Sequence, residues 1–344
     1  MSLPPKLPVE GTKTYFDFLK EKVSADFEKH NINGKHFELN FEGLNELLDL
    51  YNDIDFGDMA LCIKFSRSFN LWAMYVSSIK GASKKFWLDS SSLRIAKTAI
   101  ASKLADEKSV ANGDRCANKD KNVIDARCTE NSFESFHNAL VDLEEFLIRC
   151  HYEVKLFCEL NISNSDSQMV LKEHSNVNVP LPPSNPFSWG QSTYLEYFVA
   201  VVKGDFKQYG VELNFGGLIA LCKEYLEINY KDLNNCSRMS REFNMWSSYI
   251  DSLESITKKL YLDAETNKIN QISVASFLHG GKNKSHGERL ANMDEKVIQA
   301  RQTRNSFDAF HGCLESLEQF LIRCHYETRF FAEMYNPKNN GRSA

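Results

Sequence analysis

The chain consists of one unit that occurs twice. Residues 39–160 align with residues 213–334 at a constant offset of 174 positions and without a gap. The seven residues from Leu147 to Glu153 recur unchanged as Leu321 to Glu327. Any fold or function proposed for the chain should therefore be proposed twice. Two units are too few for a solenoid, so we expect a fused pseudo-dimer, or a fused pair of subunits from a larger ring.

The repeat divides the 344 residues into two units of similar size. We expect the first helical unit (unit 1) at residues 12–160 and the second (unit 2) at residues 192–336. The linker between them, residues 161–191, contains four prolines among many Ser and Asn residues. This composition is typical of an extended connection without a core of its own.

Apolar residues in each unit recur at helical spacing. In unit 1 one stripe runs from Leu61 to Ile79 and another, close to a heptad pattern, runs from Phe133 to Val154. Asn40 and Asn214 are well placed to cap the short helix that precedes the first stripe of each unit. We therefore predict an all-α fold, in which each unit is a small helical head followed by a long antiparallel helical hairpin. Periodicity leaves residues 271–286 open between a short strand and a helical continuation.

Composition limits the class of protein. The sequence has no run of about twenty apolar residues and no apolar segment at its start, so we expect no membrane helix, no signal peptide and a cytoplasmic location. The nine cysteines form no Cys-x-x-Cys pair, which favours reduced thiols. The formal net charge of −5 argues against a protein that binds nucleic acid through overall charge.

Charge is nevertheless segregated within each unit. Residues 12–60 hold five Lys against eleven acidic residues, whereas residues 80–127 hold eleven Lys or Arg against six acidic residues. Residues 128–160 return to two basic and seven acidic residues, and residues 258–304 repeat the basic excess with nine against five. An ordinary solvated helix face is one explanation. Recurrence in both units favours another, a basic belt at one end of the hairpin that neutralises phosphates.

Twelve basic residues in these stretches are the candidate nucleic-acid contacts. A Lys-Lys pair follows the first apolar stripe in both units, and Phe86, Trp87 and Tyr261 lie beside these pairs as rings that could stack on bases. Most other aromatic residues belong to the apolar stripes and count as packing. The candidates are Lys84, Lys85, Lys97, Lys103, Arg115 and Arg127 in unit 1, and Lys258, Lys259, Lys282, Lys284, Arg289 and Arg301 in unit 2.

Signatures of catalysis and of cofactor binding are absent from the sequence. It has no Gly-x-Ser-x-Gly, His-Glu-x-x-His, Rossmann or Walker A motif, and Gly280-Gly281-Lys282 is better explained as a hairpin tip. His137 and His151 would lie about 21 Å apart on one helix, too far to share a metal. Arg149 and Glu153, like their counterparts in unit 2, have the spacing of a surface ion pair. We predict no catalytic residue, no metal and no cofactor.

Parts of both units resemble the UvsY family of phage recombination mediators. The resemblance covers about a hundred residues of each unit and rests on a helical pattern with one Trp, a Lys-Lys step and an Asp-x-x-Val step. These features are Tyr230-Lys231-Asp232-Leu233, Ser240-Arg241, Phe243-Asn244-Met245-Trp246, Tyr249 and Lys258-Lys259, then Asn118, Asp120, Val123, Ala126 and Arg149, which recur as Asn292, Asp294, Val297, Ala300 and Arg323.

The resemblance implies a non-enzymatic protein that binds single-stranded DNA and oligomerises into rings. It also implies contacts with a cognate recombinase and with a single-strand-binding protein, and it places Lys84, Lys85, Lys258 and Lys259 on phosphates. Our leading hypothesis is therefore a recombination mediator of this kind. The alternative is a phage structural or assembly protein that oligomerises through its helical stripes without binding nucleic acid. An enzyme is the third class, and no motif favours it.

Overall fold

The computed structural model describes residues 9–10, 13–29, 31–32, 35–36, 39–163, 177–182, 194–280 and 283–336. Over these residues the chain is almost entirely helical, and the predicted all-α class is confirmed. Two small antiparallel pairs of strands flank the first helix. They join β1 (Val9–Glu10) to β2 (Lys13–Thr14) and β3 (Asn31–Ile32) to β4 (Lys35–His36). No helix in the described ranges is both long and apolar enough to cross a membrane.

Each unit begins with a head of two short helices. The head of unit 1 contains α1 (Tyr15–Glu28) and α2 (Glu42–Tyr51), and that of unit 2 contains α6 (Tyr194–Gln208) and α7 (Gly216–Leu226). Asn40 Oδ1 accepts a hydrogen bond from the backbone N–H of Glu42 at 3.1 Å, and Asn214 Oδ1 accepts one from Gly216 at 3.0 Å. The two asparagines thus satisfy N–H groups at the start of α2 and α7, as the sequence predicts.

Each head is followed by a long helical hairpin with a short helix at its turn. In unit 1 these helices are α3 (Met59–Ala105), α4 (Val110–Ala117) and α5 (Lys121–Ser163). In unit 2 they are α8 (Leu233–Gly280), α9 (Lys284–Ala291) and α10 (Glu295–Tyr335). All three begin at the same offset of 174 residues. Helix α8 continues through residues 271–280, so this part of the segment left open by periodicity is helical. We call the end of the molecule that carries α4 and α9 the distal end.

The two hairpins pack side by side through α3 and α10. The long helices therefore follow the spatial order α5, α3, α10, α8, and buried apolar residues of both units belong to one continuous cluster. Helix α3 is enclosed, with Phe69, Trp72 and Ile79 all inaccessible to solvent. Because α3 packs against both α5 and α10, the two predicted units share a core.

Polar side chains are buried where α3 meets α10. Glu327 has no exposed surface, and its carboxylate accepts hydrogen bonds from Ser66 Oγ at 2.7 Å and Tyr225 OH at 2.5 Å. Arg323, which is also buried, donates from Nε to Asn70 Oδ1 at 2.7 Å. The expectation of a surface ion pair is therefore wrong for Arg323 and Glu327. The reason is that unit 1 covers this face of α10, whereas Arg149 and Glu153 remain exposed on α5.

Six residues of the predicted linker, 177–182, are described, and they lie against unit 1. The carbonyl oxygen of Pro180 accepts hydrogen bonds from Ser68 Oγ and from Trp72 Nε1, the latter at 3.3 Å. Lys64 Nζ donates to the carbonyl of Val177 at 3.1 Å. These contacts fix part of the connection on α3. The remainder of residues 161–191, apart from the end of α5, lies outside the described residues.

Candidate nucleic-acid interface

The first Lys-Lys pair is engaged within the protein. Lys84 Nζ forms an ion pair with Asp308 Oδ1 of α10 at 2.8 Å, which joins unit 1 to unit 2. Lys85 is buried and pairs with Asp89 one turn further along α3. Ammonium groups in such contacts must lose a protein partner before they bind a phosphate. Neither lysine is therefore free to contact a strand on an outer surface.

The corresponding pair in unit 2 has a different environment. Lys258 is exposed, and the structure pairs it with no acidic group among the described residues. Lys259 is exposed and pairs with Asp263 at 2.6 Å, with its Nζ 5.2 Å from the centre of the Tyr209 ring. Pairing with Asp263 is the main cause that raises the pKa of Lys259. Both side chains lie along the shaft of the hairpin, away from the distal end.

Arg289 holds the distal ends of the two units together. This residue of α9 is buried, and its guanidinium donates to the carbonyl oxygens of Asp106 at 2.8 Å and Glu107 at 2.9 Å, just after α3. It also approaches the carbonyl of Ser102 at 3.5 Å. The planar fork of five N–H donors suits arginine to such a cluster of backbone acceptors. Its role here is structural.

The other candidates are spread over the distal part of both hairpins. Lys97 and Lys103 are half-buried on α3, and Arg115 is exposed on α4. The arginines that begin the second long helix of each hairpin make equivalent hydrogen bonds. Arg127 donates to Asn118 Oδ1 at 2.9 Å, and Arg301 donates to Asn292 Oδ1 at 2.5 Å.

One further candidate of unit 2 begins the short helix at the hairpin turn. Lys284 is highly exposed and lies 3.8 Å from Glu288. Lys282 lies outside the described residues. The structure thus brings the distal parts of the two basic stretches to one end of the molecule, but it does not align the eleven described side chains on a single face.

The rings beside the lysine pairs are packed against protein. Phe86 is buried against Phe27, with ring centres 5.1 Å apart. Trp87 lies beside the ring of His137 at 5.8 Å. Arg304 covers Tyr261 at 4.9 Å from its ring centre. All three rings already pack against other protein groups, which reduces the surface they could offer to a stacked base.

A groove of about 460 Å³ at the distal end separates α3, α4 and α9. Its lining contains Arg94 and Arg289 but also the carboxylates of Asp114 and Glu288. Arg94 is itself paired with Glu130 of α5. The mixed charge makes the groove a poor site for a phosphate on its own.

The buried Ser66, His151 and Glu327 have the composition of a catalytic triad but not its arrangement. His151 Nδ1 lies 3.0 Å from both the hydroxyl and the carbonyl oxygen of Ser66. The serine hydroxyl donates to Glu327 rather than to a histidine nitrogen. Burial lowers the pKa of His151 to about 4, so its ring is neutral. All three side chains are enclosed, so no substrate reaches them.

Among the described residues, one group of side chains has metal-ligand chemistry. Ligand atoms of Glu254, His311 and Glu315 lie within 4.8 Å of one another. Burial, followed by repulsion from Glu318 and Glu315, raises the pKa of Glu254 to about 7. The position of Glu254 is occupied by Lys80 in unit 1, so the cluster does not recur. Crowded carboxylates alone do not define a metal site, and we assign none.

Comparison with known proteins adds no family assignment. No protein-family model, curated protein or solved structure matches the chain. Its functional interpretation therefore depends on its own residues.

Proposed function

We propose that the chain is a non-enzymatic accessory protein that binds single-stranded DNA at its distal end. The observation that carries this proposal is the clamp of Arg289 on the end of α3, because it brings the basic stretches of both units to the same end of the molecule. Two cationic hairpin tips held side by side can contact successive phosphates of a flexible strand, and such contacts add through effective concentration.

The cations best placed for this role are those without a structural task. Lys97, Lys103 and Lys284 lie in the distal part of the hairpins and are exposed or half-buried. Lys84 and Arg289 join helices of the two units and Lys85 is buried, so their replacement should disturb the fold before it changes strand binding. By its resemblance to the UvsY family, the protein would act beside a recombinase and a single-strand-binding protein.

Fluorescence anisotropy with a labelled oligo-dT strand across a range of salt concentrations tests the proposal. Replacement of Lys97, Lys103 and Lys284 by Ala should reduce the slope of log K against log salt by about 2, because each neutralised phosphate of a single strand contributes about 0.7 to that slope. A matched variant with Lys20, Lys22 and Lys29 of unit 1's head changed to Ala removes the same charge away from the distal end. Equal slopes for the two variants would contradict the assignment.

A second function is favoured by the engagement of Lys84, Lys85 and Arg289 in the protein's own contacts. A structural or assembly protein would use these cations in this way and would need no strand. Absence of oligo-dT binding at low salt would favour this function over the first.

A further inference from the structure

The contact between the two units is made by unlike faces. Helix α3 is the first long helix of its unit, whereas its partner α10 is the second. A contact between different faces of equivalent units is heterologous. Each unit carries one face of either kind. The junction uses the face on α3 of unit 1 and the face on α10 of unit 2, so the second copy of each face lies on an outer helix. The face of α8 corresponds to that of α3, and the face of α5 corresponds to that of α10.

Four of the polar contacts between α3 and α10 have hydrogen-bond distances below 3 Å. They occur along most of the shared length of the two helices, from the end near the heads towards the distal end. The contacts are Ser66 with Glu327 at 2.7 Å, Asn70 with Arg323 at 2.7 Å, Lys84 with Asp308 at 2.8 Å and Asp89 with Asn305 at 2.9 Å.

The same side chains recur on the two outer faces. Of the eight residues in these contacts, seven have an identical counterpart 174 positions away, and the eighth exchanges Asp for Glu. On α8 the counterparts are Ser240, Asn244, Lys258 and Asp263, and on α5 they are Glu153, Arg149, Glu134 and Asn131. Each donor on one outer face therefore has its acceptor on the other, in the same order.

Apolar side chains on the outer faces match those at the junction. Phe320 of α10 is fully buried, whereas its counterpart Phe146 on α5 is 41% exposed. Leu71 of α3 is 2% exposed, whereas its counterpart Met245 on α8 is 70% exposed. Exposed apolar residues at these positions are typical of a surface that is covered in an assembly.

A close contact between α3 and α10 also keeps a small residue on both outer faces. A Cβ at Gly81 would lie 2.2 Å from Cys313 Sγ, so the junction combines a missing side chain with a larger one. The counterparts are Ser255 on α8 and Ala139 on α5. On the outer faces the larger side chain therefore lies on the first long helix of its unit, whereas at the junction it lies on the second. The two outer faces can therefore approach as the inner faces do.

A groove lies on α8 at the position equivalent to the part of α3 that contacts the buried carboxylate of Glu327. It has a volume of about 390 Å³ and is lined in part by Ser240, Arg241 and His325, with the carboxylate of Glu333 also in its lining. Their counterparts Ser66, Arg67 and His151 surround Glu327. Both units thus have equivalent side chains around a position that can hold a carboxylate. On α3 this position is occupied by Glu327, and on α8 it is open to solvent.

We propose that copies of this chain join head to tail, with α8 of one copy against α5 of the next, in the register of the α3–α10 junction. Glu153 of the second copy fills the groove beside Ser240, and Lys258 meets Glu134. A heterologous contact leaves one free face at each end of a pair, so assembly continues into a ring or a filament. The interface is independent of whether the chain binds nucleic acid.

One position opposes this contact. The pair Lys80 and Ser316, whose Nζ and Oγ lie 3.4 Å apart, is replaced on the outer faces by Glu254 and Asp142. Two acidic residues face each other there. We expect Glu254→Lys to strengthen assembly, because it restores the residue type found at the internal junction.

Sedimentation velocity of the full chain over a wide concentration range tests the proposal. The wild type should form species larger than a monomer as concentration rises. Lys258→Glu and Glu134→Lys each place like charges at the interface and should weaken association about tenfold or more. An equimolar mixture of the two variants should recover association. When the two variants alternate, every contact between α8 and α5 again pairs a positive with a negative side chain at positions 258 and 134. Lys296→Glu is the matched control, because Lys296 lies on α10 and belongs to neither of the faces on α8 and α5. This variant should associate like the wild type.

Three results would overturn the proposal. They are a monomer at all concentrations, association that neither face variant weakens, and a mixture that associates no better than its components. Circular dichroism of each variant distinguishes an unfolded chain from a folded chain with a weakened interface. Oligo-dT anisotropy on the same samples reports strand binding separately, so the two proposals fail independently.

Discussion

The repeated heptapeptide offers a direct test of how much environment, rather than residue type, determines stability. Glu327 and Glu153 occupy the same place in identical sequences, but the first is fully buried and the second is exposed. Glu327→Gln keeps the volume and removes the charge. It also places an amide N–H₂ group beside the hydroxyl donors of Ser66 and Tyr225, and it leaves Arg67 beside Tyr225 without its nearby carboxylate.

We expect this change to lower the free energy of unfolding by about 3 kcal/mol. A buried donor left without its acceptor costs about 1–3 kcal/mol, and a hydrogen bond to a charged group contributes about 1.5–3 kcal/mol. Glu153→Gln is the matched control and should stay within about 0.5 kcal/mol of wild type, as is usual for surface positions. Urea unfolding at low protein concentration, followed by circular dichroism, gives both values. Equal effects for the two variants would refute the assignment of Glu327 to the junction.

Three further predictions address packing and titration. In urea unfolding, Gly81→Ala should destabilise the protein by about 1–3 kcal/mol, because the added Cβ clashes with Cys313. Adding Cys313→Ala should restore most of the stability. Gly312→Ala is the control and should be neutral or slightly stabilising, because its Cβ would meet open space. Burial lowers the pKa of His151 to about 4, so on acidification the imidazole is protonated in the unfolded chain before it is protonated in the folded chain. The free energy of unfolding should therefore fall as pH drops from about 6.5 to 4, by up to about 1.4 kcal/mol per pH unit. His151→Gln should reduce that slope. Glu254 has a pKa raised to about 7, so its ionisation disfavours the fold as pH rises from 4.5 through 7, and Glu254→Gln should raise the unfolding midpoint more at pH 8 than at pH 5.

Much of the secondary structure could be predicted from the sequence, because its signals are local. The stripe from Leu61 to Ile79 and the stripe from Phe133 to Val154 lie in α3 and α5, and the asparagine caps lie where spacing places them. The sequence does not predict the short helices α4 and α9, since eight residues are too few to show a clear helical period. Their starts are nevertheless marked by Ser109 and Asn283. The side chain of each accepts a hydrogen bond from the backbone N–H three residues further along the chain.

The partners of the candidate cations could not be predicted in this way. Lys84 and Lys258 stand at the same place in the repeat, yet one pairs with Asp308 and the other is exposed. The difference arises from which helix lies alongside, and no local pattern encodes that. One sequence signal was available: Ser66 and Asn70 interrupt an apolar stretch, and both are repeated in unit 2. Polar residues that recur inside a hydrophobic stripe indicate a specific contact as readily as a solvent face.

The internal junction and the proposed contact between chains should differ in strength although they share their polar residues. Helices α3 and α10 belong to one chain, so their contact is intramolecular, whereas separate chains must meet by diffusion. The outer faces also carry the opposed Glu254 and Asp142. Reversible assembly is therefore expected, and a strand that binds several distal ends at once would promote it.

Linkage makes this coupling reciprocal, because a strand that favours assembly is itself bound more tightly by the assembled form. Glu134→Lys then separates two explanations of strand affinity. The substitution adds positive charge, which by itself strengthens attraction to phosphates, but it also opposes Lys258 of the next chain. If avidity depends on assembly, Glu134→Lys should weaken oligo-dT binding in anisotropy despite its charge, and Lys258→Glu added in equal amount should restore it. Tighter binding by Glu134→Lys alone would show that each chain binds the strand separately.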